Sequence, residues 1–452
     1  MHDSNRTISS DLFRDDIVTS IYKRAKEISD SVVNCPKQKH IDWSHKLDDI
    51  LTSKWTGFPI MLILLCFIFW LTIVGANVPS AMLANFLFWM EDRLTEIFIF
   101  FKAPDWLYGI LILGMYRTVA WVVSVMLPPM AIFFPCFTLL EDFGYLPRVA
   151  FNLDRLFKKA GAHGKQALTM AMGFGCNAAG VVACRIIDSP RERLIATITN
   201  NFVPCNGRFP TLIALSMILI GISVHSPFAA FLSSGIVILL VLSGIAVTFI
   251  VSFILSKTLL KGTPSTFNLE LPPYRKPQIG TVIVRSIFDR TLFVLGRAVS
   301  VALPAGAITW IVANIMVGDT SILNHISGFL EPFGRAIGLD GVIILAFILG
   351  LPANEIVLPI IFMSYLSKGS MIELETVEEM RNVFIANGWT WLTCLNVMLF
   401  SLFHFPCGTT LWTIRKETQS LKWTIASFII PTLVAIVICF STTKITHWLH
   451  LI

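Results

Sequence analysis

Charge is what this sequence has least of. Only 14% of its 452 residues are Asp, Glu, Lys or Arg, against 55% hydrophobic, whereas a soluble domain carries roughly a quarter charged residues. That balance excludes an ordinary soluble chain. A phosphate-cradling loop is missing too: the single Gly-Lys pair, Gly164-Lys165, is followed by Gln166 and lacks the upstream glycine, so the G-x-x-x-x-G-K-[ST] route to GTP or ATP is absent. There is no H-E-x-x-H, G-x-S-x-G or C-x-x-C, which removes the usual metalloprotease, serine hydrolase and dithiol readings, and an enzyme is not expected. The nine cysteines lack the close spacing of a disulfide-rich secreted domain. Residues 1–54 hold no apolar run of the kind a secretory signal needs, so the amino terminus is expected in the cytosol. The net charge of +6 comes from Lys and Arg set in short stretches between apolar segments, which fits a positive-inside bias. No nucleic-acid partner is expected.

Long uncharged runs are present instead. TGFPIMLILLCFIFWLTIVG, from Thr56 to Gly75, carries no charge, and about 20 such residues span a ~30 Å hydrocarbon core as a helix. Before it, Leu12, Ile17, Ile21, Ala25, Ile28 and Val32 recur at helical spacing among charged residues, which predicts an amphipathic helix over 11–33. Residues 79–101 are assigned to the membrane interface, followed by spans near 116–140, 228–255, 291–315, 341–367, 388–412 and 423–441. Between 166 and 223 the apolar sequence is interrupted by Gly173, Gly175, Asn177, Gly180, Pro190, Pro204, Gly207 and Pro210, so half-helices or a re-entrant hairpin are expected there. The 341–367 segment is broken in the same manner by Pro352, Asn354, Glu355 and Pro359. Two interrupted segments in the two halves of a membrane protein point to a central binding site between paired repeats. Direct similarity between the halves is too weak to prove a repeat.

Irregular backbone at membrane depth is tolerated only where it packs in protein or lines a wet cavity, so the breaks mark the candidate path. G-F-G-C-N at 173–177 sets the Cys176 thiol and the Asn177 amide beside two glycines, and Cys205 stands between Pro204 and Asn206-Gly207. Thiol, amide and backbone oxygen together suit a borderline cation better than an all-oxygen set does. A buried free cysteine is as often a small packing residue. Glu355 is the strongest single candidate, because a carboxylate inside an apolar span costs roughly 2.5–3.5 kcal/mol on insertion scales and faces a partner or a pathway. Its bland counterpart is a hydrogen-bonded Glu tying helices together. Asn354 beside it offers an amide oxygen. F-H-F-P-C-G at 403–408 holds His404 and Cys407 three apart, on one helix face only if the helix survives Pro406. Met170, Met172, Met217 and Met363 read as apolar filling and stay outside the site.

Several stretches resemble the membrane domain of the ferrous iron transport protein B family, FeoB. TSKWTGFPIMLILLCFIFWLTI at 52–73 is similar to its first span, LLEDFGYLPRVAFNLDRLF at 139–157 to its signature loop, and GFGCN at 173–177 to its first gate motif. LELPPYRKP at 269–277 resembles its interfacial segment, and LGLPANEIVLPI at 349–360 and HFPCGTTLWTIRKETQSLKWT at 404–424 resemble its second gate and carboxyl-terminal region. The resemblance covers about residues 15–445 and implies uptake of Fe²⁺ across the bacterial inner membrane, with Cys176, Cys205 and Cys407 at the three metal-path cysteines and Glu355 at the acidic gate position. Fe²⁺ is then cargo, with no permanently bound cofactor. Ala178-Ala179-Gly180 after GFGCN, and Asn206-Gly207 before Arg208, depart from the family pattern, and Mn²⁺, Co²⁺ and Zn²⁺ stay open as cargo.

The expectation is an all-α polytopic integral membrane protein with about eight to ten membrane segments and two gate regions containing broken or re-entrant helices. Its parts are 1–54, a cytosolic amphipathic helix and linker; 55–140, the first spans; 141–256, the first gate region; 257–290, a cytosolic or interfacial segment; 291–415, the second gate region; and 416–452, the last span and carboxyl terminus. The candidate metal residues are Cys176, Asn177, Cys205, Asn354, Glu355 and Cys407. The GTPase domain that the family carries ahead of the first span is not in this chain, so the expected partners, beside the lipid bilayer, are a separate GTPase subunit, a small SH3-like accessory protein and further copies of the chain. An independent permease and a truncated product are the alternatives to a split system. Two other functions are carried forward: a nucleoside or other small-solute carrier, and a non-transporting membrane scaffold for a GTPase.

Overall fold

The computed structural model describes residues 4–32, 43–53, 55–221, 229–262, 274, 278–318, 320–367, 369–371, 374 and 376–450. The expected interfacial segment 269–277 lies outside the described residues except for Tyr274. The chain divides into two units, Met1–Leu47 and Asp48–Ile452. The first holds α1 (Ser4–Val32), with Ile17, Ile21, Ile28 and Val32 exposed along it and an Arg24–Glu27 pair at 3.0 Å. The unit boundary falls inside α2 (Trp43–Leu51).

The second unit is a helical membrane bundle. Among the described residues seven helical stretches are long and apolar enough to cross a bilayer, or eight if a pair bent by 110° is one span. The first, α3 (Gly57–Phe100), has 44 residues and is therefore about 66 Å long, roughly twice the ~30 Å core. The segment 79–101, expected at the membrane interface, is thus the second half of a continuous helix. Pro79 stays inside the helix, because lipid offers the backbone no other hydrogen-bond partner and neighbouring helices hold the chain on course. Beyond Pro79, Tyr116 Oη donates to the Leu87 carbonyl at 2.9 Å and Arg117 pairs with buried Glu91 at 2.5 Å. Leu62, Ile63, Phe67, Trp70, Val74, Val78 and Met82 are exposed along α3, the surface expected of a helix whose solvent is hydrocarbon.

After α4 (Asp105–Tyr108) and a π-helical segment, Gly109–Tyr116, α5 (Arg117–Phe143) runs through the middle of the unit with Val122, Phe133 and Phe134 buried. α6 (Tyr145–Lys159) is strongly amphipathic, and its Arg148 is buried against Asp48 (3.0 Å) and the ring of Tyr274 (4.2 Å). The first gate region then follows as α7 (Gln166–Gly175), α8 (Asn177–Ala183), α9 (Pro190–Thr199) and α10 (Phe209–Gly221), joined by short 3-10 turns, and α11 (Ala229–Lys257) is a full span.

The second half starts with α12 (Ile279–Arg285), a π-helical turn, and α13 (Phe293–Asn314). A two-residue antiparallel hairpin, β1 (Met316–Val317) with β2 (Thr320–Ser321), leads into α14 (Ile322–Ala336). α15 (Gly341–Leu349) and α16 (Val357–Tyr365) flank the expected break, α17 (Val377–Ala386) is short, α18 (Trp391–Phe403) and α19 (Gly408–Thr418) flank another, and α20 (Leu421–Trp448) closes the bundle.

α13 crosses the π-helical segment at glycine. A Cβ on Gly306 would sit 2.3 Å from the Gly114 carbonyl oxygen and 2.5 Å from Thr118 Oγ1, so the two backbones touch as small-residue membrane interfaces do. Because the nearest obstacle is main chain, it cannot rotate away. Gly306→Ala is expected to destabilise the protein by about 1–3 kcal/mol, read as a lower unfolding temperature in detergent. An unchanged temperature would show that these helices separate freely.

Candidate functional site

Four helices begin at one place. Cys176, Cys205, Ala353 and Cys407 are each extended residues immediately before a helical turn: φ/ψ is −154°/125° at Cys176 before α8, −81°/168° at Cys205 before the turn into α10, −153°/123° at Ala353 before the turn into α16, and −60°/159° at Cys407 before α19. Local sequence explains each break. Gly175 lets the chain pass the Phe133 ring, where a Cβ would lie 2.3 Å away. Pro204, Pro352 and Pro406 withdraw a backbone donor and bias the preceding residue to extended geometry.

The matching dihedrals at Cys176 and Ala353, and the Pro-Cys pairs at 204–205 and 406–407, relate α7–α8 to α15–α16 and α9–α10 to α18–α19. Each half thus contributes two broken helices, as the interruptions in sequence implied.

All six candidate residues line the cavity where these ends meet. Cys176, Asn177, Cys205, Asn354, Glu355 and Cys407 surround it together with Met126 and Met130 of α5, Gly175, Asn206, Gly207, Pro352, Ala353 and Thr409. The space open to the centre of a water-sized sphere is about 20 Å³, enough for one water or one small ion. Glu355 is the only carboxylate in the lining. Its Oε1 lies where a Cβ on Gly207 would come within 2.1 Å, so the glycine is what lets the carboxylate reach this position. Asn354 Oδ1 and Thr409 Oγ1 are buried without a hydrogen-bond partner, leaving two neutral oxygens available at the wall. Cys407 Sγ is 3.2 Å from Thr410 Oγ1. Among the described residues no three His, Cys, Asp or Glu side chains gather into a preformed metal cluster.

The breaks are held by cross-braces. Asn177 Nδ2, in the amide orientation that satisfies both ends, donates to the carbonyls of Gly173 (3.2 Å) and Val203 (3.3 Å), and Asn200 Nδ2 donates to the Asn177 carbonyl at 3.2 Å. Gly408 N donates to the Leu351 carbonyl at 2.6 Å, tying two breaks of the second half. Arg208 does most. Fully buried, it donates from Nη1 to the carbonyls of Asn201 and Leu402, both at 2.8 Å, and from Nη2 to Asn201 Oδ1 (3.2 Å), Phe405 O (3.3 Å) and His404 O (3.4 Å). It therefore satisfies carbonyls orphaned at the end of α18, and it does so across the two halves. With its Nη donors on carbonyl and amide oxygens, Arg208 forms no ion pair with Glu355, whose carboxyl oxygens are left for the cavity.

The helix ends shape the electrostatics. Helix amino termini carry partial positive charge, and the guanidinium of Arg208 adds a whole one nearby. A cation is held here only if anionic ligands offset those charges, which places the burden on Glu355 and the cysteines.

His404 is a packing residue: the helix ends at Phe403, so the condition for sharing a face with Cys407 is not met. Its Nδ1 lies 3.0 Å from the carbonyls of Phe400 and Ser401 and its ring packs on Phe347, Phe400 and Phe405, outside the cavity lining. Met170, Met172, Met217 and Met363 are outside it as well, while Met126 and Met130, not singled out in sequence, are in it. Arg208 carried a readable signal, since a charge inside an apolar stretch is as costly for Arg as for Glu355.

These features define a polytopic α-helical membrane protein with two interlocked gate regions around a central cavity. A family model described as "Gate: Nucleoside recognition" matches residues 123–219 and again 295–421, and one described as "Ferrous iron transport protein B C terminus" matches 237–289. Over most of its length the chain is similar to the membrane part of FeoB proteins. It is 29% identical over 429 residues to the Fe(2+) transporter FeoB of Staphylococcus aureus, covering 92% of this chain and 61% of that protein, and 27% identical over 425 residues to that of Methanocaldococcus jannaschii, covering 90% and 59%. A fusion of Fe(2+) transport protein A with FeoB from Porphyromonas gingivalis is 25% identical, covering 88% of this chain and 51% of its own length. The chain thus spans between half and two thirds of these relatives. A solved structure of CNTnw in an inward-facing substrate-bound state matches at a TM-score of 0.38 and 13% identity over 88% of this chain and 100% of that one, too loose a likeness to argue from.

Proposed function

We propose that this chain is a permease that passes Fe²⁺ across the bacterial inner membrane through the central cavity. The observation that carries the reading is the convergence of three thiols, one carboxylate and unpartnered oxygens on a space the size of a single ion. Thiol and oxygen ligands in one wall suit a borderline divalent ion, and ligands spread around a cavity rather than gathered into a closed site suit a cargo that must leave again. Glu355 offsets the ion's charge, Cys176, Cys205 and Cys407 exchange with its water, and Asn177, Asn354 and Thr409 supply neutral contacts. The names of the relatives support iron as the cargo. A nucleoside needs a pocket in the range of ~300 Å³ or more, far beyond this cavity.

The relatives are longer, and one is fused to transport protein A, so a GTPase subunit and a small accessory protein are the partners this reading supplies, with the amino terminus on the cytosolic side. The test is anaerobic uptake of labelled Fe²⁺ into vesicles containing the protein, alongside Mn²⁺ and a labelled nucleoside. Saturable Fe²⁺ uptake is expected, falling roughly tenfold or more in Cys176→Ser and Glu355→Gln. Nucleoside uptake without metal uptake, persisting when a GTPase partner is supplied, would sink the reading.

A further inference from the structure

Two cavities away from the ion path have lining residues within one turn of each other on two helices and differ sharply in chemistry. One, of about 230 Å³, is an apolar cleft between α3, α5, α6, α7 and α11, with Met61, Leu64, Leu153, Phe157, Phe174 and Phe249 in its wall. An apolar cavity of ~150 Å³ already takes up benzene, so this one accommodates a length of hydrocarbon. The other, of about 360 Å³, is lined by Lys158, Lys159, Arg191, Lys257 and Lys261 and by no acidic residue. The two are neighbours along the two helices they share, α6 and α11. Leu156 and Phe157 face the cleft and Lys158 and Lys159 the basic pocket, while on α11 Phe249 lines the cleft and Phe253, one turn later, the basic pocket.

The positive charge is only partly compensated. Asp154 pairs with Lys158 at 2.7 Å, and Glu192 lies 3.9 Å from Arg191. Lys159, Lys257 and Lys261 have no ion pair among the described residues. Arg191 Nε donates to the Leu260 carbonyl at 2.5 Å, fixing the chain end that carries Lys261, and its buried Nη1 has no hydrogen-bond partner. Basic pockets between membrane helices, beside an amphipathic helix such as α6, are where anionic headgroups bind.

We propose that these two cavities form one binding site for an anionic phospholipid, its phosphate held by Lys159, Lys257, Lys261 and Arg191 and an acyl chain lying in the apolar cleft. The charge complementarity and the tail cleft next to the charge select a lipid over a soluble anion or a neutral lipid. The site is independent of the ion reading. Because Met170 and Phe174 of α7 line the cleft, its occupant also braces the half-helix that ends at Cys176.

The purified full chain, equilibrated with equal amounts of phosphatidylglycerol and phosphatidylcholine and read by native mass spectrometry, is expected to retain phosphatidylglycerol preferentially. K159Q/K257Q/K261Q should lower that preference by about tenfold or more, with unfolding temperature in neutral lipid unchanged, and K159R/K257R/K261R should keep it. Leu153→Trp, which fills the cleft, should also reduce retention. Equal retention of the two lipids, an unaffected Gln variant, or complete displacement by inorganic phosphate, which would mark a free-anion pocket, would each overturn the proposal. Should the triple Gln variant fail to fold, K159Q/K257Q is the substitute, with the same outcomes.

Discussion

Arg208→Met is expected to lose about 3 kcal/mol or more of stability, since each buried carbonyl left unsatisfied costs about 1–3 kcal/mol; that is a large part of the 5–15 kcal/mol that separates folded from unfolded states of typical domains. The side chain is fully buried and supplies hydrogen bonds to Asn201, Leu402, His404 and Phe405. Methionine fills the volume but gives those carbonyls nothing, and lipid cannot substitute for water there. Arg208→Lys should fall between the two, since an ammonium keeps the charge but cannot fork planar bonds to carbonyls on both sides. Thermal unfolding of the detergent-solubilised protein, followed by size-exclusion fluorescence, reads the order wild type, Lys, Met. A Met variant as stable as the parent would mean that the two gate regions are held together by something other than this residue.

Gly207→Ala is expected to do the reverse, sparing the fold and stopping transport. Its new Cβ would lie 2.1 Å from Glu355 Oε1 and 2.5 Å from Cδ. The obstacle is the far end of a flexible side chain, so the carboxylate swings aside at a cost of about 1 kcal/mol, the scale of an off-rotamer torsion. The swing takes the one carboxyl group out of a cavity ringed by helix amino termini. Fe²⁺ uptake should fall roughly tenfold or more, with unfolding temperature nearly unchanged. In a Glu355→Ala background the same substitution should add nothing, because the clash and the carboxylate are both gone. Additive losses would show that Gly207 acts through the backbone and not through Glu355.

Both predictions concern a site that was partly legible in sequence. Glu355 stood out because a charge in an apolar span is expensive, and Cys176, Cys205 and Cys407 because they sit at glycine and proline breaks. Arg208 obeys the first rule and was passed over as part of a motif. His404 stays outside the site for a local reason: its spacing from Cys407 has meaning only on an intact helix, and the helix ends at Phe403. The continuity of α3 through Pro79 was not legible, because whether a proline ends a helix or is carried within it depends on the neighbours that pack around it.

What the sequence determined by itself is whatever depends on neighbours along the chain. Low charge and uncharged runs require a bilayer, and glycine and proline within apolar segments require broken helices, because backbone geometry and solvation are local. The tertiary structure alone decided that the breaks at 176, 205, 353 and 407 meet at one cavity, that Gly207 makes room for Glu355, and that Arg208 closes the end of α18 nearly two hundred residues away. Those facts rest on which helix packs against which, and packing joins residues whose separation in sequence carries no signal of their contact.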